Sequence, residues 1–453
     1  MTKFSKALRL ISAAPVAALL LAGCAQTGAP TSTASAPAPT AEPAQAQAPE
    51  LDQLSALAAR YVAEGKVANM VIGVSLPGGE TRYVSSGTLA LGGDQAADEQ
   101  SLYRVYSMTK PIIGLATAML IDEGKLQLDQ PLSDIYPAFA DVRVLADPDT
   151  PGETVALASP ITIRHLVTHT SGFGYSIVPS GISQQYSDAG IVPGLRRPNP
   201  LMPSGEQPQS LDAFMERLSG LPLRHQPGTD WSYSIGLDVM GAVIQKVSGM
   251  PLETFLQQRI FGPLGMDDTA FTVAQDDLDR LTTNYFLMNG SMVPVDTPAD
   301  SEYATPAPFP AGGAGLVSTT EDYLRFMTAM ANGGMIEGRQ AVPADAVALA
   351  TSNILPDSAT FTLSSAGGIN EAGSAQGYGA GGYVITGSAG ALPDGAYGWG
   401  GAAGTLASAF PLQGVGLVMM TQYMPSGTYQ IAPELQQAVA ADLSALMGSD
   451  SDN

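Results

Sequence analysis

The chain has 453 residues and a formal charge of −22, with 42 acids against 20 lysines and arginines, so it offers no basic face for a nucleic-acid backbone. Three histidines and one cysteine are too few for a disulfide framework, a Cys/His zinc module or an iron–sulfur site, which leaves hydroxyls, carboxylates and a few amines to carry any chemistry. With 45% hydrophobic residues there is material for a large core, in one big domain or two ordinary ones.

Residues 1–23 carry Lys3, Lys6 and Arg9, no acid, and an apolar run from Leu10 to Leu21 that ends in Leu21-Ala22-Gly23 before Cys24. This pattern predicts a cleaved export signal. The run, at about 12 residues, is short of the ~20 that a bilayer-spanning helix needs. The placement of the cysteine resembles the lipobox of bacterial lipoproteins, which implies a lipid anchor on Cys24 and no membrane span. Ala25, in place of Asp, points to the outer membrane with the protein facing the periplasm. Residues 24–50 form an Ala/Pro-rich tether, since after the cysteine they hold five prolines and no aromatic, Leu, Ile, Val or Met. At about 3.1 Å per residue such a tether reaches up to ~80 Å.

Leu51, Leu54, Ala58, Tyr61 and Val62 recur at helical spacing and predict a helix that ends at Gly65. Met70–Leu76 and Thr81–Ser86 read as strands joined through Pro77-Gly78-Gly79. A helix should start close to Ser107, because Pro111 is tolerated only near a helix start, and its apolar run Ile112–Ile121 predicts burial on all sides. The middle of the chain reads as helices between Pro-rich loops, among them Leu211–Ser219 behind a Ser210 cap and Asp238–Val247 ending at Gly249. Residues 178–208 are aperiodic, as rims and covers of sites often are. Strand character returns at Tyr383–Thr386, Leu406–Phe410 and Val415–Thr421, and a last helix follows Pro433 to about Met447. The expected architecture is α+β: residues 51–150 and 311–453 form an antiparallel sheet flanked by helices, and 151–310 form an inserted, mainly helical domain.

Ser107 precedes Lys110 by three residues, which on a helix puts both side chains on one face. The helix start favours a developing alkoxide, and a lysine beside it is placed to take the serine proton. With 37 serines and six lysines this spacing arises by chance about 0.5 times in such a chain, so its position at a buried helix start carries the weight. Tyr233, in Trp231-Ser232-Tyr233-Ser234, is a second proton-transfer candidate that also reads as a packed aromatic. The run from Gly398 to Thr405 allows a substrate to approach the backbone and its free amides to polarise a carbonyl, or makes a tight bend in the sheet. Gly377–Gly382 matches G-x-G-x-x-G, yet strand-like residues follow it where a dinucleotide site requires a helix. His165 and His169 lack the glutamate of H-E-x-x-H, and no G-x-S-x-G elbow occurs.

In this order and spacing the three segments resemble the serine β-lactamase and penicillin-binding protein superfamily, and within it the class C-like group that includes the family VIII carboxylesterases. Leu126–Leu132, Arg164–Gly172, Pro263–Met266 and Gly313–Thr319 add to the likeness, which extends from Leu51 to the last helix. The resemblance implies a β-lactamase/transpeptidase-like fold with Ser107 as acylated nucleophile. It further implies Lys110 and Tyr233 as the proton-transfer pair, an oxyanion hole from the backbone amides of Ser107 and Ala402, and neither cofactor nor metal. The chain departs from the β-lactamase pattern at Ile235, where those enzymes have Asn, and at Trp399-Gly400-Gly401, where they have Lys-Thr-Gly. A site that loses its polar partners loses the matching discrimination. Ile235, Trp399, Gly400 and Gly401 are therefore expected to bind an apolar acyl or alcohol portion of a small-molecule substrate. Tyr233-Ser234-x-x-x-Asp238 looks like the esterase-type members, although Asp238 also reads as a helix-surface or first-turn acid. The expected activity is a serine hydrolase working through an acyl-enzyme, foremost a carboxylesterase. A D-alanyl peptidase or amidase, a β-lactamase, and a non-catalytic binding lipoprotein stand as alternatives.

Overall fold

A computed structural model of the chain describes residues 51–449, apart from 193, 195, 198–203, 363–374 and 388–391. The expected signal, the tether and Cys24 lie outside the described residues, as does part of the aperiodic stretch 178–208. Helix α1 (Asp52–Ala63) buries Leu54, Leu57, Ala58 and Tyr61 and stops before Gly65, whose φ of 68° no side chain favours. No side chain of its own N-terminus caps it. Asp442, far along the chain, instead accepts the N–H groups of Gln53 and Leu54, both at 3.0 Å.

Strands β1 (Asn69–Ser75) and β2 (Thr81–Gly87) form the expected hairpin. Next comes α2 (Thr109–Asp122), buried from Thr109 to Leu120, so that each of its large aliphatic side chains contributes about 1.5–3 kcal/mol. The stretch expected as a helical insertion carries α3 (Ile163–Val167), α4 (Leu211–Ser219) and α5 (Gly236–Ser248). Ser210 caps α4 by accepting from Ala213 N at 3.1 Å, and Gly249 ends α5 in the left-handed region. The same stretch holds a hairpin that the residue pattern does not announce, β3 (Asn284–Met288) with β4 (Ser291–Asp296). Pro294 inside β4 and the exposed apolar residues Phe286, Met288, Val293 and Val295 hide the usual strand pattern.

Helix α6 (Thr320–Ala331) leads to the C-terminal strands β5 (Ala375–Tyr378), β6 (Tyr383–Gly387), β7 (Tyr397–Gly400), β8 (Leu406–Phe410) and β9 (Val415–Met420). The last helix, α7 (Ile431–Ser449), begins two residues before Pro433, because a proline fits the first turn, where its missing N–H needs no acceptor. Together the strands make one antiparallel sheet in the order β5-β6-β7-β8-β9-β1-β2. Strands β9 and β1 are buried on both faces. Met70, Ile72 and Val74 face α1 and α7, whereas Val71, Val418 and Met420 share a core with α2, α5 and α6. The Gly377–Gly382 run is the turn from β5 to β6, with no helix after it, and Gly381 N–H there donates to Val167 O at 3.0 Å.

Candidate active site

Three residues of one 3₁₀ turn, Tyr106–Met108, deliver Ser107 to the start of α2. Tyr106 has a φ of 42°, a conformation that costs a non-glycine residue about 1–3 kcal/mol unless its surroundings impose it. The surroundings do so: Asn284 Nδ2 on β3 donates to Tyr106 Oη at 3.0 Å, and Val105 N–H donates to Leu316 O at 3.1 Å. Arg104, with no exposed surface, ties the same segment to Asp296 of β4 at 2.6 Å and to Thr282 O at 2.7 Å. The unexpected hairpin thus supports the turn that carries the serine.

Lys110 Nζ donates to Ser107 Oγ at 3.1 Å and to Gly313 O at 2.7 Å, and the lysine is fully buried. From the other side Tyr233 Oη donates to Ser107 Oγ at 2.8 Å. Lys110 Nζ lies 4.7 Å from the centroid of the Tyr233 ring, within cation–π range. The structure therefore brings the three predicted residues to one oxygen atom. Two groups able to exchange a proton with Ser107 Oγ thus stand within hydrogen-bond reach of it, as base-assisted nucleophilic attack requires.

Strand β7 forms the adjacent wall. Trp399 is nearly buried, and its ring lies 5.8 Å from that of Tyr233 and 5.4 Å from that of Tyr378. A Cβ on Gly401 would stand 2.4 Å from Val105 O and 2.2 Å from Thr405 Oγ1, so only glycine lets the end of β7 approach the serine turn this closely. Ala402 follows at the surface, and its N–H meets no acceptor among the described residues. Ser107, in the first turn of its helix, has an amide of the kind that helix starts leave unpaired. Ile235 departs from its expected place. It has no exposed surface, its N–H donates to Gly174 O at 3.2 Å, and its side chain packs in the core next to α5, so it does not line the site.

Two residues outside the predicted site complete its surroundings. Asp238 is fully buried in the first turn of α5, where its Oδ1 accepts from Gly313 N at 2.8 Å, so it is not a surface acid. Burial pushes its carboxyl up to about 6, and the Lys110 charge and hydrogen bonds from the Gly313 and Asp238 amides oppose that rise. His169, also fully buried and with a φ of 57°, bonds through Nδ1 to Ser234 Oγ at 2.9 Å and packs its ring 4.9 Å from that of Tyr233. Burial, and then the charge of Lys110, hold His169 well below the ordinary histidine range, so it stays neutral. The stretch Arg164–Gly172 contributes to the family likeness, but its histidine's role as a support behind Tyr233 is visible only in three dimensions. His165 serves elsewhere, in a capping box with Thr162 at the start of α3. Among the described residues no three His, Cys, Asp or Glu gather as a metal site would require.

The family model described as Beta-lactamase matches residues 54–441, nearly the whole described chain. The chain belongs to the beta-lactamase family. Among curated proteins, Esterase EstB of Burkholderia gladioli is 34% identical over 254 residues, 52% of this chain and 59% of that protein. Lovastatin esterase of Penicillium rubens is 32% identical over 258 residues, 55% of this chain and 60% of that one. The matches thus span about three fifths of the length of these curated relatives. Among solved structures, EstCE1, a hydrolase with promiscuous acyltransferase activity, superposes with a TM-score of 0.68 at 22% identity, covering 86% of this chain and 97% of its own. The expected α+β, β-lactamase/transpeptidase-like fold is thereby shown.

Proposed function

We propose that this protein is a serine carboxylesterase that cleaves small acyl esters through a covalent acyl-enzyme. The observation that carries the reading is Ser107 Oγ, held at once by Lys110 Nζ at 3.1 Å and Tyr233 Oη at 2.8 Å at a helix start. Ser107 Oγ attacks the ester carbonyl and passes its proton to the Lys110–Tyr233 pair. The oxyanion rests on the backbone N–H groups of Ser107 and Ala402. The leaving alcohol takes the proton back, and a water activated by the same pair frees the acid. None of these steps calls on a cofactor. The names of Esterase EstB and Lovastatin esterase agree with ester chemistry. The aromatic wall at Trp399, where β-lactamases place a lysine, favours an apolar ester over a carboxylate-bearing substrate.

Acyl transfer to an alcohol is the second reading. The promiscuous acyltransferase activity of EstCE1 supports it, and an alcohol can replace water in the step that empties the acyl-enzyme. The test sets the purified protein and Ser107→Ala against a p-nitrophenyl acyl ester, with and without added alcohol, a D-Ala-D-Ala peptide and a chromogenic cephalosporin. Serine-dependent ester turnover is expected. Turnover of the peptide or the cephalosporin alone overturns the proposal, and absence of any Ser107-dependent acylation returns the chain to a binding role. We further propose export and lipid anchoring at Cys24, in the outer membrane facing the periplasm. Incorporation of labelled palmitate that vanishes in Cys24→Ser tests the anchor. Among the described residues no helix is long and apolar enough to cross a membrane.

A further inference from the structure

The serine, lysine and tyrosine leave one buried charge beside them without a task. Asp238 Oδ1 accepts the Gly313 N–H at 2.8 Å, and Lys110 Nζ donates to the carbonyl of that same residue at 2.7 Å. Gly313 is thus gripped at both ends, by a carboxylate from α5 and by the lysine amine from α2. A Cβ on it would stand 2.4 Å from Asp238 Oδ2, so the fit leaves no room for a side chain. Oδ2 itself has no hydrogen-bond partner among the described residues. Removing a carboxylate from water and leaving one oxygen unpaired is costly, and an apolar residue of similar size would fill the space without that cost. The titratable groups that face Asp238 are Lys110 from α2 and Tyr175 from the segment after α3.

We propose that Asp238 is a positioning residue for acylation: it holds the Gly313 main chain so that its carbonyl fixes Lys110 Nζ beside Ser107 Oγ, and its charge favours the ammonium that forms as Lys110 takes the serine proton. The proposal rests on the reading of Ser107 as nucleophile. Asp238 touches no substrate; it acts through Gly313 and Lys110. Burial raises its carboxyl to about 6, which leaves it mostly ionised at pH 7.5 and increasingly protonated as pH falls below about 6. Wild-type acylation is therefore expected to weaken as pH falls through about 6, where that charge disappears.

The experiment follows the rate at which a fluorophosphonate probe labels the full chain between about pH 5 and pH 9 in the wild type, Asp238→Asn and Gly313→Ala, with a thermal melt of each. Asp238→Asn keeps an oxygen for the Gly313 N–H but removes the charge. Its labelling at pH 7.5 is expected to fall about 10- to 100-fold, the loss of a charged hydrogen-bonding partner, and its profile to lose the inflection near pH 6. Gly313→Ala leaves every charge in place and pushes a methyl against Oδ2; it is expected to slow labelling while keeping the inflection. Wild-type rate and wild-type profile in Asp238→Asn overturn the proposal, as does a lower melting temperature with no change in either. If Asp238→Asn fails to fold, an unchanged rate in Gly313→Ala overturns it. A wild type that the probe does not label overturns the Ser107 reading and this proposal together.

Discussion

Trp399 Nε1 donates to Tyr233 Oη at 3.4 Å, while the two rings lie 5.8 Å apart at an angle of 30°. The hydroxyl that reaches Ser107 therefore has a second neighbour on the sheet, and the tryptophan both positions the tyrosine and walls the site. Trp399→Phe keeps most of the packing and loses the N–H, so kcat/KM for a small ester should fall by less than about tenfold. Trp399→Ala removes the wall as well and should raise KM more than it lowers kcat. Steady-state kinetics on one p-nitrophenyl ester would settle it; equal KM in the two variants would show that Trp399 does not meet the substrate.

Gly401→Ala tests the approach of β7 to the serine turn. Its methyl would stand 2.4 Å from Val105 O, two residues before Ser107, so either the turn or the strand must move. Misplacement of reacting groups by about 1 Å can cost ~100-fold in rate. The expected outcome is a loss of kcat of at least about tenfold in a protein that still melts cooperatively, measured by kinetics beside circular dichroism.

Asp322 gives a pH dependence of stability. It is nearly buried on α6, its Oδ2 accepts from Asp268 N and Thr269 Oγ1, both at 2.8 Å, and burial pushes its carboxyl up to about 7 despite those bonds. The unfolded chain releases the same proton near ~3.9. Between those values the folded state binds more protons, so this group lowers stability as pH rises from about 4 to about 7, and its cost is complete above that. Asp322→Asn, with its amide oxygen in the place of Oδ2, should be more stable than the wild type by about 1–3 kcal/mol at pH 8 and no more stable at pH 4. Urea melts at the two pH values measure the difference; equal gains at both would refute the assignment.

Asp442 caps α1 from the last helix, with both oxygens engaged at 3.0 Å. Asp442→Ala leaves the part-buried N–H of Gln53 and the buried N–H of Leu54 unpaired, at a cost of about 1–3 kcal/mol. Ser444→Ala, a nearby exposed position on the same helix, should cost less than about 0.5 kcal/mol. Hydrogen exchange at the amides of Gln53 and Leu54 should quicken in the first variant only.

Much of this arrangement can be read from the residues, for definite reasons. An apolar run with a proline near its start admits little except a buried helix, which places Ser107 and Lys110 on one face. Short strands rich in Val, Ile, Leu and Met, near glycine-bearing turns, betray the sheet. What stays hidden depends on contacts between distant segments. Asp238 looks like an ordinary first-turn acid until Gly313, 75 residues on, closes over it. Ile235 follows Tyr233 so closely that the residue order assigns it to the same wall, but the chain is already entering α5 and turns that side chain into the core. The left-handed conformations of Tyr106 and His169 have no signature in residue types that usually avoid them.

The order of the strands constrains how the protein can be made. Strand β1 is the second strand from one edge of the sheet, yet its inner neighbour is β9, the last of the seven to leave the ribosome. Until then β1 and β2 are a hairpin backed, on the face that α1 and α7 cover, only by α1, and a lone hairpin in water is marginal at best. A chain that stops before Val415 presents an unpaired, wholly buried-type edge along β1, the kind of template on which chains associate. Synthesis must therefore pass β9 before the first strands are safe, and premature termination between β2 and β9 should yield aggregate in place of a shortened soluble chain.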